Sequence, residues 1–193
     1  MAPPGDVETF DRFARFYDLF PVPTHPKAIR RAIDGRGGLV VDLGGGTGKY
    51  TNRVVPDRAR AAVVDASREM LRRAARRRLP TIQAGADRVP IRDGTVDTVL
   101  CTEAFHHFAG IQDAVLDEVA RILKPDGMFL LEEPDPTRLL GRLMRWGEHV
   151  QGWDSRFHPP DVLVKMLEER FGKVLKTKSG LFTVLLVAER PRL

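Results

Sequence analysis

The sequence predicts an α/β fold built on a mostly parallel sheet, with an antiparallel hairpin at one edge. Three observations predict it. Apolar runs of strand length alternate with helix-length segments over most of the chain, the pattern of parallel strands joined by helical crossovers. One run, VVDL at 40–43, passes straight into the cluster GGGTG, as a buried parallel strand does when it turns into a helix. The last two runs, at 173–178 and 182–189, are separated only by the Ser179-Gly180 region. That is too little chain for a helical crossover, so they pair as a hairpin.

Taken in order, strands are expected at 39–43, 61–65, 81–84, 96–101, 127–133, 173–178 and 182–189. Helices are expected at 26–34, 48–55, 67–78, 111–123 and 160–171. Within 67–78, Met70, Leu71, Ala74 and Ala75 are expected to face the sheet, leaving Arg68, Arg72, Arg73, Arg76, Arg77 and Arg78 to solvent. Lys124-Pro125-Asp126-Gly127 carries turn chemistry that ends one helix and launches the next strand. The chain reads as one domain over 1–193, with two segments outside the core. Residues 1–25 are rich in aromatics (Phe10, Phe13, Phe16, Tyr17, Phe20) and form a candidate lid; residues 134–160 hold both tryptophans, His149 and His158, and form a candidate substrate-side insert.

Composition narrows the setting. With 193 residues, 42% hydrophobic and 30% charged, the chain can bury a core of its own. No stretch approaches the ~20 apolar residues of a membrane span. The N-terminus, MAPPGDVETF, lacks a basic region followed by an apolar run, and the lone Cys101 excludes an internal disulfide and a multi-cysteine zinc site. A cytoplasmic protein without a metal centre is the expectation. The net charge of +5 raises nucleic acid or an anionic membrane as partners. The arginine run lacks interleaved aromatics that would stack on bases, which favours a solvated helix face.

The glycine cluster carries the most functional information. A dinucleotide fingerprint, G-x-G-x-x-G, does not fit: from Gly44 its third glycine falls on Lys49, and from Gly46 on Thr51. The pattern is D-x-G-x-G-x-G, with Asp42 leading Gly44, Gly46 and Gly48, and Gly45 between them. A diphosphate favours a helix N-terminus without a neighbouring anion. A ligand with a cationic ammonium can use one.

That pattern resembles motif I of the class I S-adenosyl-L-methionine methyltransferases, whose Rossmann-like fold has seven strands and a terminal antiparallel hairpin. From 38 to 133 the chain is similar to the type-11 family, which includes the ubiquinone/menaquinone-biosynthesis methyltransferases. The resemblance implies that Asp65, closing AAVVDAS with Ala66 beside it, binds the ribose of the cofactor. In AGADRVPIRDGTVDTVLCTEAFHHF it implies that Asp87 meets the adenine amino group, with Ala86 and Arg88 alongside and Thr102 on the cofactor side. LKPDGMFLLEEP resembles the family's K-P-G-G segment, with Asp126 in place of the first glycine. FDRFARFYDLF resembles the entry segment of the quinone methyltransferases.

Methyl transfer from a sulfonium needs alignment and exclusion of water more than a catalytic constellation. Where the acceptor must lose a proton, Glu103, His106 and His107 are candidate bases, and Tyr17 a candidate for closing over the cofactor or orienting substrate. Packing against the adenine or capping a helix would equally account for the histidines. Glu132, Glu133 and Asp135 would either position a substrate or cap the insert. Arg138, Arg142 and Arg145 share one helical face, with Leu139, Leu140, Leu143, Met144 and Val150 on the others, a pattern suited to a membrane surface or a lipophilic acceptor. The expected function is methyl transfer to a small molecule, quinone-like, lipid or aromatic. The alternatives are an RNA or protein methyltransferase and a non-catalytic cofactor-binding partner subunit. The amino-methylating N/D-P-P-Y/F motif is replaced here by CTEAF.

Overall fold

The computed structural model describes residues 10–11 and 25–191. Seven strands form one sheet: β1 (Val40–Leu43), β2 (Ala61–Asp65), β3 (Thr81–Gln83), β4 (Val96–Thr102), β5 (Leu123–Pro134), β6 (Lys173–Ser179) and β7 (Thr183–Glu189). Their order is β3-β2-β1-β4-β5-β7-β6. The first five run parallel, while β7 pairs antiparallel with both β5 and β6. The helices are α1 (Pro26–Arg36), α2 (Lys49–Val54), α3 (Arg68–Arg76), α4 (Gln112–Ile122), α5 (Leu139–Val150) and α6 (Pro160–Glu168). Fold class, strand count and terminal hairpin match the expectation from sequence.

Strand alternation divides the core into two layers. Val41, Leu43, Val99, Cys101, Phe129 and Leu131 face one way, against Val115 and Val119 of α4 and Leu163 of α6. Val40, Val63, Leu100 and Leu130 face the other, against Ile29 and Ile33 of α1 and Leu71 and Ala74 of α3. Central strands buried on both faces explain the continuous apolar runs. α1 starts with Pro26 in its first turn, where a missing N–H costs nothing. α3 starts under Ser67, whose hydroxyl accepts from Met70 N at 3.2 Å.

Two expectations are corrected. Ala75 is exposed, so the buried face of α3 is Met70, Leu71 and Ala74 alone. The turn at 124–127 is incorporated into a β5 that begins at Leu123, with a register shift between Val96 and Thr98. Asp126 adopts φ +62°, and its N–H donates to Arg190 O at 3.0 Å. The turn residues thus kink the strand and tie it to the end of the chain. Among the described residues, no helix is long and apolar enough to cross a membrane.

Candidate active site

Strand order reverses between β1 and β4, and in open α/β sheets ligands bind beyond the carboxyl ends of the strands at such a point. The loops leaving β1, β2, β3 and β4 carry nearly every residue singled out from sequence. They differ in how they are held.

The loop after β1 is shaped by close approach. Gly44 has φ +71°, and a Cβ there would lie 2.7 Å from that of Ala104, so the β1 and β4 loops touch backbone to side chain. Gly48 has φ +67°, and a Cβ there would lie 2.5 Å from Leu79 Cδ1. Both positions favour glycine for conformation, and Gly44 for space as well, since the Ala104 Cβ cannot swing away. Gly46 N–H donates to Asp65 Oδ2 at 2.9 Å, and Ser67 N–H to Asp65 Oδ1 at 2.8 Å. Asp65 therefore joins the glycine loop to the start of α3. Burial pushes its carboxyl up to about 6, against the pull of the Ser67 and Gly46 amides. Asp42 lies beneath the loop, 2% exposed, with Thr51 Oγ1 donating to it. Burial raises Asp42 to about 7; the Thr51 bond lowers it and the nearby Asp65 charge raises it. A Cβ on Gly45 would collide with the Asp42 carboxyl at 2.6 Å.

After β2, Ala66 O accepts from Gln83 Nε2 at 3.2 Å, and Asp65 O accepts from Ala84 N at 3.1 Å, so the ends of β2 and β3 are tied together. In the loop after β3, Ala86 is buried, Asp87 half-buried and Arg88 exposed. Thr102 ends β4 with its Oγ1 buried and unpartnered. Asp11 accepts from Ser67 Oγ and from Glu69 N at 3.2 Å. Phe10 packs edge-on against His107 at 5.0 Å and against Trp153 at 5.1 Å. These two residues thus link the Asp65 loop to the insert. Tyr17, with the rest of the proposed lid, lies outside the described residues.

Beyond β4 and β5 is a second group of buried acids. Glu133 accepts from the N–H groups of Ala104 (3.1 Å), Phe105 (2.9 Å) and His106 (3.1 Å), and from His106 Nδ1 (2.7 Å). It holds the short 3₁₀ turn Phe105–His107 from beneath. Glu132 is similarly occupied, by His25 N and Nδ1, Tyr50 OH and Thr183 Oγ1. Asp135 caps the insert through Thr137 and Arg138. Of the two readings offered by sequence for these three acids, the contacts are those of scaffolding.

Glu103 is different. It is 7% exposed, has φ +54°, and its Oε1 has no partner. Burial pushes its carboxyl up to about 8, with His106 pulling down and Glu133, Glu132 and Glu148 pushing up. His106 is fully buried, stacked on Phe157 at 4.4 Å, with Nε2 3.5 Å from Glu148 Oε1. Burial opposes its charge, but Glu133 and Glu148 outweigh that and raise it to about 10. His107 is pushed well below the usual imidazole range by burial and by the neighbouring His106. Its Nδ1 lies 3.1 Å from Ser155 Oγ. The two neighbouring imidazoles are thus biased in opposite directions, His106 toward its protonated form by Glu133 and Glu148, and His107 toward its neutral form by burial. Glu148, Ser155 and Phe157 all come from the insert, and no local spacing marks them in the sequence.

α5 inverts the usual amphipathic arrangement. It buries Gly141 and Glu148, and exposes Leu139 (71%), Trp146 (67%), Val150 (65%) and Leu143 (54%). A Cβ on Gly141 would lie 2.0 Å from Asp135 O, so the helix backbone rests on the loop before it. Along this helix runs a cleft of about 620 Å³ lined by Leu139, Arg142, Leu143, Trp146, Trp153 and Ser155, among others. Arg138 is not free to join it, being paired with Asp135 at 3.1 Å.

Comparison with known proteins agrees with this geometry. Residues 41–131 match the family profile described as "Methyltransferase domain". An uncharacterized methyltransferase-like protein of Schizosaccharomyces pombe is 36% identical over 135 residues, 66% of this chain and 52% of that protein. A demethylmenaquinone methyltransferase of Mycobacterium tuberculosis is 33% identical over 147 residues, 71% of this chain and 62% of that protein. The chain therefore spans about half to three-fifths of the length of these relatives. A crystal structure of a SAM-dependent methyltransferase from Thermotoga maritima superposes with a TM-score of 0.77 at 20% identity, covering 95% of this chain and 99% of that one. It shares the fold.

Proposed function

This chain belongs to the type-11 family of class I methyltransferase domains, and on that premise we propose that it transfers a methyl group from S-adenosyl-L-methionine to a small lipophilic acceptor, aromatic or quinone-like. The observation that carries the donor is the Gly46–Asp65 bond: the glycine loop and the acid closing β2 are one unit, set where strand order reverses. A ribose can replace the amide donors' share of that carboxylate with two hydroxyl donors. The ammonium of the donor finds Asp42 beneath the loop, whose burial makes a cation welcome. Asp87, with Ala86 and Arg88, is the proposed adenine contact, and Thr102 Oγ1 offers an unused polar atom on the same side.

The exposed apolar stripe of α5 supports a lipophilic acceptor. Leu139, Leu143 and Trp146 offer apolar area and Arg142 and Arg145 offer positive charge, a combination that suits a hydrophobic molecule with an anionic or strongly polar head. The cleft reaches Ser155, which touches His107 on the β4 loop, so an acceptor seated there approaches the donor side. Chemistry then rests on aligning the nucleophile with the sulfonium–methyl axis in a site closed to water. The test is calorimetric titration with S-adenosylmethionine and S-adenosylhomocysteine, followed by turnover with prenylated and unprenylated quinols and phenols. Micromolar binding of both, with S-adenosylhomocysteine released only in the presence of such acceptors, is expected. Binding without turnover on any of them would overturn the acceptor class.

A further inference from the structure

We propose that His106, His107 and Glu148 form a binding site for a divalent first-row transition ion of the zinc type. One ligand atom from each lies within 4.8 Å of the other two. Neighbours in sequence usually splay apart, yet the two imidazoles meet at 4.1 Å between ring centroids, so the 3₁₀ turn brings both to one place. Two histidines and one glutamate are a ligand set that binds Zn²⁺ with a position left open. The ion takes the place of the proton that Glu133 and Glu148 favour on His106, and that proton is released to solvent.

Three features separate this cluster from an ordinary buried ion pair. His106 is oriented through its other nitrogen: Nδ1 faces Glu133 Oε2 at 2.7 Å, and Glu133 is itself fixed by three backbone N–H groups. A carboxylate holding the far side of the ring is the usual support of a metal-binding histidine. On the near side, His106 Nε2 and Glu148 Oε2 are both buried without a hydrogen-bond partner, although Nε2 lies only 3.5 Å from Glu148 Oε1. Tetrahedral zinc holds its ligand atoms roughly 3.3 Å apart, so small side-chain adjustments would bring the three donors onto an ion. Finally, the surroundings are apolar on the ring faces, with Phe10, Trp153 and Phe157 packed against the two histidines. Glu103, just upstream, brings a further buried and unpartnered carboxyl oxygen to the same region. The lone cysteine excludes a multi-cysteine zinc site and says nothing of this one, whose ligands are histidine and glutamate.

The experiment uses the whole chain freed of metal with a chelator. It is titrated with Zn²⁺ by calorimetry and with Co²⁺ by visible absorption, whose intensity reports tetrahedral geometry. One equivalent is expected to bind, with affinity lowered at least tenfold in Glu148→Gln and in His107→Asn, and retained in the double variant His149→Asn/His158→Asn, which removes two other imidazoles. Absence of stoichiometric binding overturns the site. So does equal affinity in Glu148→Gln and wild type, or loss of binding in the double variant. Since the readout is metal binding, failure here leaves the methyl-donor reading untouched, and failure of the donor titration leaves this one untouched.

Discussion

The two halves of the sheet's carboxyl edge both bury acids, but they treat them differently. At β1 and β2, Asp42 and Asp65 are fixed by neighbours in sequence and in the adjacent strand: Thr51, Gly46 and Ser67. At β4 and β5, Glu132 and Glu133 are saturated by donors, while Glu103 and Glu148, close by, each keep an oxygen with none. Burying an unpaired carboxylate costs far more than burying one that accepts several hydrogen bonds. Saturated acids therefore hold loops in place, while the unsaturated ones keep carboxyl oxygens available to a cation or a donor. The division runs through adjacent residues: Glu133 builds the turn on which His106 and His107 sit, and Glu148 faces His106 from the other side.

Glu133→Ala is the most severe way to break this contrast. It leaves three backbone N–H groups and His106 Nδ1 buried without their acceptor, and removing one partner of a buried charged network costs about 3–5 kcal/mol. Chemical denaturation is expected to show that loss. Glu148→Ala, which removes an acid with an unpartnered oxygen, is expected to cost far less. Equal losses would mean that both glutamates are scaffolding.

The same contrast explains how much was legible beforehand. Strand order and the glycine loop follow from local signals: apolar runs of strand length, then glycines at Gly44 and Gly48, where the backbone takes positive φ and neighbours come close. Asp65 was legible because it closes a strand adjacent to that loop. Glu148 and Ser155 were not, because their importance lies in contacts with His106 and His107, across more than forty residues of chain. The exposed leucines of α5 were visible as an amphipathic pattern, but their direction was not. It is set by Gly141, which lets the helix backbone lie on Asp135, a close approach that no periodicity shows.

Asp65→Ala sharpens the comparison from the other half. The carboxylate accepts from Gly46 and Ser67 and is the proposed ribose acceptor, so its loss is expected to weaken S-adenosylmethionine binding by about 1.5–3 kcal/mol. Calorimetry reads it directly. Unchanged affinity would move the donor away from this loop and collapse the functional difference between the halves.

Asp42 gives the finest distinction, because it is partnered yet still uncomfortable. Its carboxyl is raised to about 7 from 3.8, chiefly by burial. The native state therefore binds this proton more tightly than the unfolded chain does. Below 3.8 both states hold it and the group contributes no penalty; as pH rises through the window from 3.8 to about 7, the unfolded chain ionises first and stability falls. Asp42→Asn keeps an oxygen for Thr51 and removes the charge. Its melting temperature relative to wild type is expected to climb between pH 4 and pH 7.5, by several degrees at roughly 2–4 °C per kcal/mol for a chain of this size. Saturating S-adenosylmethionine supplies the ammonium that the charged carboxylate lacks, and is expected to flatten that climb by stabilising wild type more than the variant. A gap independent of both pH and ligand would show Asp42 to be as structural as Glu133.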